Sequence, residues 1–179
     1  MSERWTLFRT SPLAGVLMIA ALFAVISGCE KPLDPRIVDF RKTFEAATVP
    51  AGETPVPEAR KAAKAVQPPA PVKVVVRGRI NAGESPPWES GKSAFVITDA
   101  AGHDGDESHN PHTCPFCSRN IQDLLVRVEF TDKSGQLIPL DARELLNVTE
   151  FQLVVVEGMG MINESDILVL NATQIYVKR

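Results

Sequence analysis

Most of the residues that advertise chemistry are scarce in this chain. Its 179 residues include three histidines, three cysteines, two tryptophans and one tyrosine. No glycine-rich phosphate loop follows a strand-like run, and no Gly-x-Ser-x-Gly elbow occurs, so nucleotide-dependent and α/β-hydrolase chemistry is not signalled. The three histidines share one short stretch, which leaves none elsewhere to serve as the base of a hydroxyl nucleophile. No catalytic residue is assigned on this reading. Positive charge is not in excess either: the net charge is −3. A mildly acidic chain has no electrostatic reason to seek nucleic acid or anionic headgroups.

What the chain does have begins at its N-terminus. Arg4 and Arg9 precede an uncharged apolar run from Leu13 to Ile26, which ends in Ile26-Ser27-Gly28-Cys29. A positive start, an apolar stretch and small residues before a cleavage point are the layout of a targeting peptide. The four residues resemble the lipobox of bacterial lipoproteins. That resemblance implies removal of residues 1–28, lipid on Cys29 and an extracytoplasmic location anchored to the envelope membrane. Glu30 after the cysteine, by resemblance to enterobacterial sorting, favours the outer membrane over the inner. The competing reading is a transmembrane anchor, because Thr10 to Cys29 is twenty residues without a formal charge, long enough to cross a bilayer. Either way the remainder lies outside the cytoplasm, since the arginines hold the N-terminal end inside. Loss of the leader takes away Arg4, Arg9 and Glu3 and moves the net charge from −3 to −4.

The remaining 151 residues suit one domain. Residues 29–71 read as a spacer. Asp34-Pro35 is a helix start, and Ile37, Phe40, Phe44 and Ala47 follow at helical spacing. This short amphipathic helix is expected to sit in a tether, on the membrane or against the domain. Six prolines between Pro50 and Pro71 suggest an extended, semi-rigid linker.

From Val72 the pattern turns to strands. Val72–Ile80, Ala94–Thr98 and Leu124–Phe130 are three, Asp141–Leu146 is a short helix capped by Asp141, and Phe151–Met161 and Ile167–Lys178 are two more. The order excludes a parallel βαβ sheet and predicts a mainly β fold. The expected core is Val74, Val76, Ile80, Phe95, Ile97, Val126, Val128, Val154, Val156, Leu168, Leu170 and Ile175, the apolar members of alternating strands. Val76-Arg77-Gly78-Arg79-Ile80, Val96-Ile97-Thr98-Asp99 and the pair Val155–Gly158 with Leu168–Ile175 resemble the opening strand, second strand and closing hairpin of anticodon-binding-type OB-folds. That resemblance implies a single five-stranded Greek-key barrel over 72–179. It says little about function, because OB-folds take many ligands. The departure is a polar connection over 100–123, of a length that compact domains usually reserve for function.

That connection carries His103, His109, His112, Cys114 and Cys117 within fifteen residues. Imidazole and thiolate are the donors zinc and copper prefer. The two-residue gap of Cys114-Pro115-Phe116-Cys117 lets both sulfurs reach one ion, and resembles the Cys-Pro-x-Cys knuckles of rubredoxin-like and zinc-ribbon sites. His112 and His109 would complete a Cys2His2 set, with His103 a fifth candidate or a spare. Two other readings stay open. In an oxidising compartment Cys114 and Cys117 form a structural disulfide, leaving the barrel as an adaptor for an envelope protein or glycan. Alternatively they are a redox pair, although no long helix follows them as thiol activation would prefer. Covalent haem is disfavoured, because Ser118 stands where its signature needs histidine. Asp99, Asp104, Asp106 and Glu107 read as part of a solvated acidic loop. Gly158 and Gly160 are expected to relieve crowding at a barrel bend, and Trp88 to cover a barrel end.

Overall fold

In the computed structural model, residues 33–99 and 110–179 are described. Five strands close into a barrel in the order β1-β2-β3-β5-β4: β1 (Val72–Ile80), β2 (Ala94–Asp99), β3 (Leu125–Glu129), β4 (Leu153–Ile162) and β5 (Leu168–Val177). All neighbours are antiparallel except β3 and β5. The topology is consistent with an OB-like barrel. The expected strands lie within two residues of these bounds. All twelve expected core residues are buried, because strict alternation leaves one choice of inward face.

Two glycines are fixed by close approach. A Cβ on Gly78 would stand 2.9 Å from the Thr98 carbonyl oxygen across the short β1–β2 seam. At Gly158 it would lie 2.2 Å from the Asn171 carbonyl oxygen, at the β-bulge where the β4–β5 register shifts. The extra residue, Thr173, lies on β5, so the bulge bends β5 as barrel closure requires.

The spacer reading needs correction. Residues 34–71 belong to the same compact unit as the barrel. Helix α1 (Pro35–Phe44) starts as expected, with the Asp34 carboxylate accepting the Arg36 N–H at 2.9 Å. It docks on the domain: Ile37 and Phe40 are buried, and Phe40, Phe44 and Phe130 form an aromatic trio with centroids 4.7 to 5.1 Å apart. The Arg41 guanidinium donates to the Leu145 and Glu144 carbonyls. It thereby satisfies the open end of helix α3 (Ala142–Leu146), whose own stop is Asn147 in the left-handed region at φ 51°.

Within the proline-rich stretch lies a second helix rather than extended chain, α2 (Val56–Lys64). Its buried residues, Val56, Ala59, Arg60 and Ala63, fall at i, i+3, i+4 and i+7, one helical face. Pro57 is tolerated because it sits in the first turn, where a missing N–H costs nothing. Between the helices the chain follows exposed strand edges. Ala46 donates to the Ile175 carbonyl at 2.8 Å, and Thr54 bridges β1 through Val75 and Arg77. Val75 points outward yet is buried, with Thr54 hydrogen-bonded to its carbonyl by both backbone and hydroxyl. Trp88 meets its expectation, half-buried against Phe95 at 5.7 Å.

The core therefore reaches beyond 72–179, and a fragment of those residues alone is expected to lack a cooperative unfolding transition. In the whole chain, Phe40→Ala should cost about 3 kcal/mol, as removal of a buried aromatic does. Urea unfolding checks both; an unchanged midpoint in the variant, or a cooperative fragment, would confine the core to the barrel.

Candidate functional site

The site grows from the C-terminal end of β2. Thr98 and Asp99 are both buried there, and the histidine- and cysteine-bearing connection leaves directly after them. One Asp99 carboxylate oxygen accepts the backbone N–H of Val56 at 3.0 Å. Val56 opens α2, and Pro55 at its cap position supplies no side-chain bond. Asp99 thus caps that helix from another element, with its charge near the positive end of the helix dipole.

On the return of the connection, Asn110 builds the turn that presents the first cysteine. Its carbonyl accepts the N–H groups of Thr113 and Cys114, each at 3.2 Å, while its side-chain oxygen accepts from the His112 N–H at 3.1 Å and from Asn81 at 3.3 Å. Asn-Pro is a turn-initiating pair, and here it positions Cys114. From Cys117 to Leu124 the chain forms a 3-10 helix, kinked at Asn120. The buried Arg60 of α2 holds that helix by an ion pair with Asp123 at 2.9 Å and also pairs with Asp166 at 2.9 Å.

Cys114 and Cys117 are half-buried thiols in hydrogen-bond contact with each other. Burial pushes the Cys117 thiol above its ordinary value, and the bond to Cys114 and the negative charges of Cys114 and Asp99 act in the same direction. At neutral pH this sulfur keeps its proton until a cation or a bond partner takes the proton's place.

His112 is drawn to a different anchor. Its Nε2 lies 3.0 Å from the Thr98 hydroxyl, which stands 2.7 Å from the Asn81 carbonyl and donates to it. The hydroxyl has a single proton, so Nε2 is the donor of the imidazole pair and Nδ1 carries the lone pair. Nδ1 faces Gly83, which has φ +73° and whose missing Cβ would stand 2.6 Å away. Only glycine leaves room for the ring. Burial lowers the His112 pKa from its ordinary 6.5.

The structure therefore gathers Cys114 with Cys117, places the charge of Asp99 within electrostatic reach of Cys117, and seats His112 on Thr98. Among the described residues, no group of three or more His, Cys, Asp or Glu side chains is placed to hold a metal ion. His103, His109, Asp104, Asp106, Glu107 and the lipidation candidate Cys29 lie outside the described residues. Among the described residues no helix is long and apolar enough to cross a membrane. Sequence reasoning missed the parts played by Asn81, Gly83, Thr98 and Arg60. Asn81 and Gly83 follow the first expected strand without any local pattern that marks a site, and Arg60 lay in the stretch read as linker. No protein-family model matches the chain, and no curated protein matches its sequence.

Replacement of Asp99 by asparagine removes a negative neighbour of Cys117, so its thiol should ionise at lower pH. Alkylation by iodoacetamide at pH 8 should then speed up, and stability should fall by about 1–2 kcal/mol with loss of a charged acceptor. An unchanged alkylation rate would remove Asp99 from the thiol's surroundings. Gly83→Ala should unseat His112 and let its pKa rise toward 6.5, as read by proton NMR of the ring. In the parent the folded state binds fewer protons than the unfolded state just below pH 6.5. The contribution of this seat is therefore full above that value and is lost as pH falls.

Proposed function

We propose that this protein is a membrane-anchored extracytoplasmic lipoprotein whose barrel, of the OB type, displays a site for a soft or borderline transition metal, zinc or copper. Cys114 and Cys117 are the primary ligands. Imidazole ligands come from His109 and from His112, which would leave its seat between Thr98 and Gly83 to join them, with His103 in reserve. The observation that carries this reading is the contact between two thiols on a built turn, in a stretch that holds every histidine of the chain. Thiolate sulfur attracts such ions strongly. An incoming cation would displace the thiol protons, so affinity should rise with pH. Lipid on Cys29 would hold the protein at the membrane; several acyl chains are needed because one binds only marginally.

A second reading rests on the same contact between Cys117 and Cys114. The Cys114 thiolate, its proton released to water, would attack an external disulfide and expel one thiolate. Deprotonated Cys117 would then attack Cys114 in that mixed disulfide and expel the second, so the external disulfide takes both electrons and leaves as two thiols. The barrel would then serve as an adaptor for an envelope protein or glycan.

Metal analysis and thiol titration of protein purified without chelator separate the two. About one equivalent of zinc or copper, lost in Cys114→Ser, is expected; no metal and no free thiol would support the disulfide, and two free thiols without metal that an added disulfide fails to oxidise would overturn both. Cys29→Ser should leave an unprocessed precursor in the host membrane. Processing of that variant like the parent would overturn the lipid anchor.

A further inference from the structure

We infer that Met159 and Met161 form a separate thioether site for a soft monovalent cation, copper(I) or silver(I), on the outer face of β4. The chain has four methionines. Met1 and Met18 precede the candidate lipidation residue, so the domain carries only this pair, in Gly158-Met159-Gly160-Met161. The intervening glycine has a packing reason: a Cβ on Gly160 would meet the Val74 side chain at 3.0 Å. The methionines have no such reason. They are 40% and 41% exposed, at positions where strands ordinarily place β-branched or polar residues. An exposed thioether is also open to oxidation to the sulfoxide.

The backbone sets them as a pair. Alternate residues of a strand share a face and lie about 7 Å apart. Each methionine has three rotatable bonds, so two sulfurs at this spacing can converge on one ion. Their neighbours across the ladder are Lys73 and Asn171 beside Met159, and Val169 beside Met161. The Lys73 ammonium pairs with Glu157 at 2.8 Å, so the adjoining charges offset one another. Neutral thioethers select copper(I) over harder ions. They carry no proton to displace, so binding here should be independent of pH between 5.5 and 7.5, in contrast to the dithiol.

The test uses the full chain with Cys114→Ser and Cys117→Ser, labelled with 13C at the methionine methyls and titrated with silver nitrate at pH 5.5 and 7.5. Match of its silver-free methyl spectrum to the parent's certifies the fold; if it fails, the parent with alkylated thiols replaces it. Saturation of the Met159 and Met161 methyl shifts together at one equivalent is expected, at the same affinity at both pH values. Met161→Leu should weaken silver binding at Met159 at least tenfold. Methyl resonances that stay in place, or a Met159 response indifferent to Met161→Leu, would overturn the site. Because Cys114 and Cys117 are absent or blocked throughout, neither result bears on the dithiol.

Discussion

The arrangement of this domain depends on one buried carboxylate. Asp99 ends β2, accepts the first N–H of α2 and acts electrostatically on the Cys117 thiol. A charge taken out of water is costly unless fixed dipoles and hydrogen bonds replace its hydration. The open N-terminus of α2 supplies both, and it needs a partner because Pro55 offers none. Helix and carboxylate therefore stabilise one another. Their bond also sets the distance between the barrel and the element covering it. The polar connection starts at the next residue, so its departure point is buried and hydrogen-bonded.

Its return is fixed by a second buried charge. Arg60 is almost wholly inaccessible, yet its partners Asp123 and Asp166 are more than half exposed. Such a pair adds little net stability, because the guanidinium gives up its hydration. Its effect is geometric: it ties α2 to the helix that begins at Cys117 and to the turn between β4 and β5. The cysteines thus lie between two ionic anchors, both involving α2. Precise sites are built on elements whose own positions are locked, and loops become precise only when their ends are.

Legibility in the sequence followed the same physics. The strands could be read because each alternates under a single core, but Asp99, read as part of a solvated acidic loop, is buried, because the N-terminus of α2 covers it. Helix α1 could be read from Asp34-Pro35 and its phenylalanines, but which surface it covers could not, since periodicity reveals a face without naming what it meets. Helix α2 was hidden for a different reason. Its buried stripe consists of one valine, two alanines and an arginine, so the helical period was present while the hydrophobic contrast that reveals it was weak. The surrounding prolines then favoured an extended reading. Within the site, Cys114 and Cys117 were legible as a pair from spacing alone. The seating of His112 depends on Thr98, Asn81 and Gly83, brought together by β-pairing, and no local pattern links them.

The electrostatics of the dithiol narrow what can happen there. Full ionisation of Cys114 and Cys117 beside Asp99 would place three negative charges in a half-buried volume, and like charges in close contact disfavour that state. A divalent cation would reduce the sum to −1 and a monovalent one to −2. Closing a disulfide would remove both thiolate charges and leave Asp99 alone. A lone nucleophilic thiolate at Cys117 gains none of this relief. The surroundings therefore oppose an exposed, permanently activated cysteine and favour events that consume both sulfurs together. Metal capture and disulfide closure share that property, and they part over the histidines: a metal needs donors beyond the two sulfurs, whereas a disulfide has no use for them.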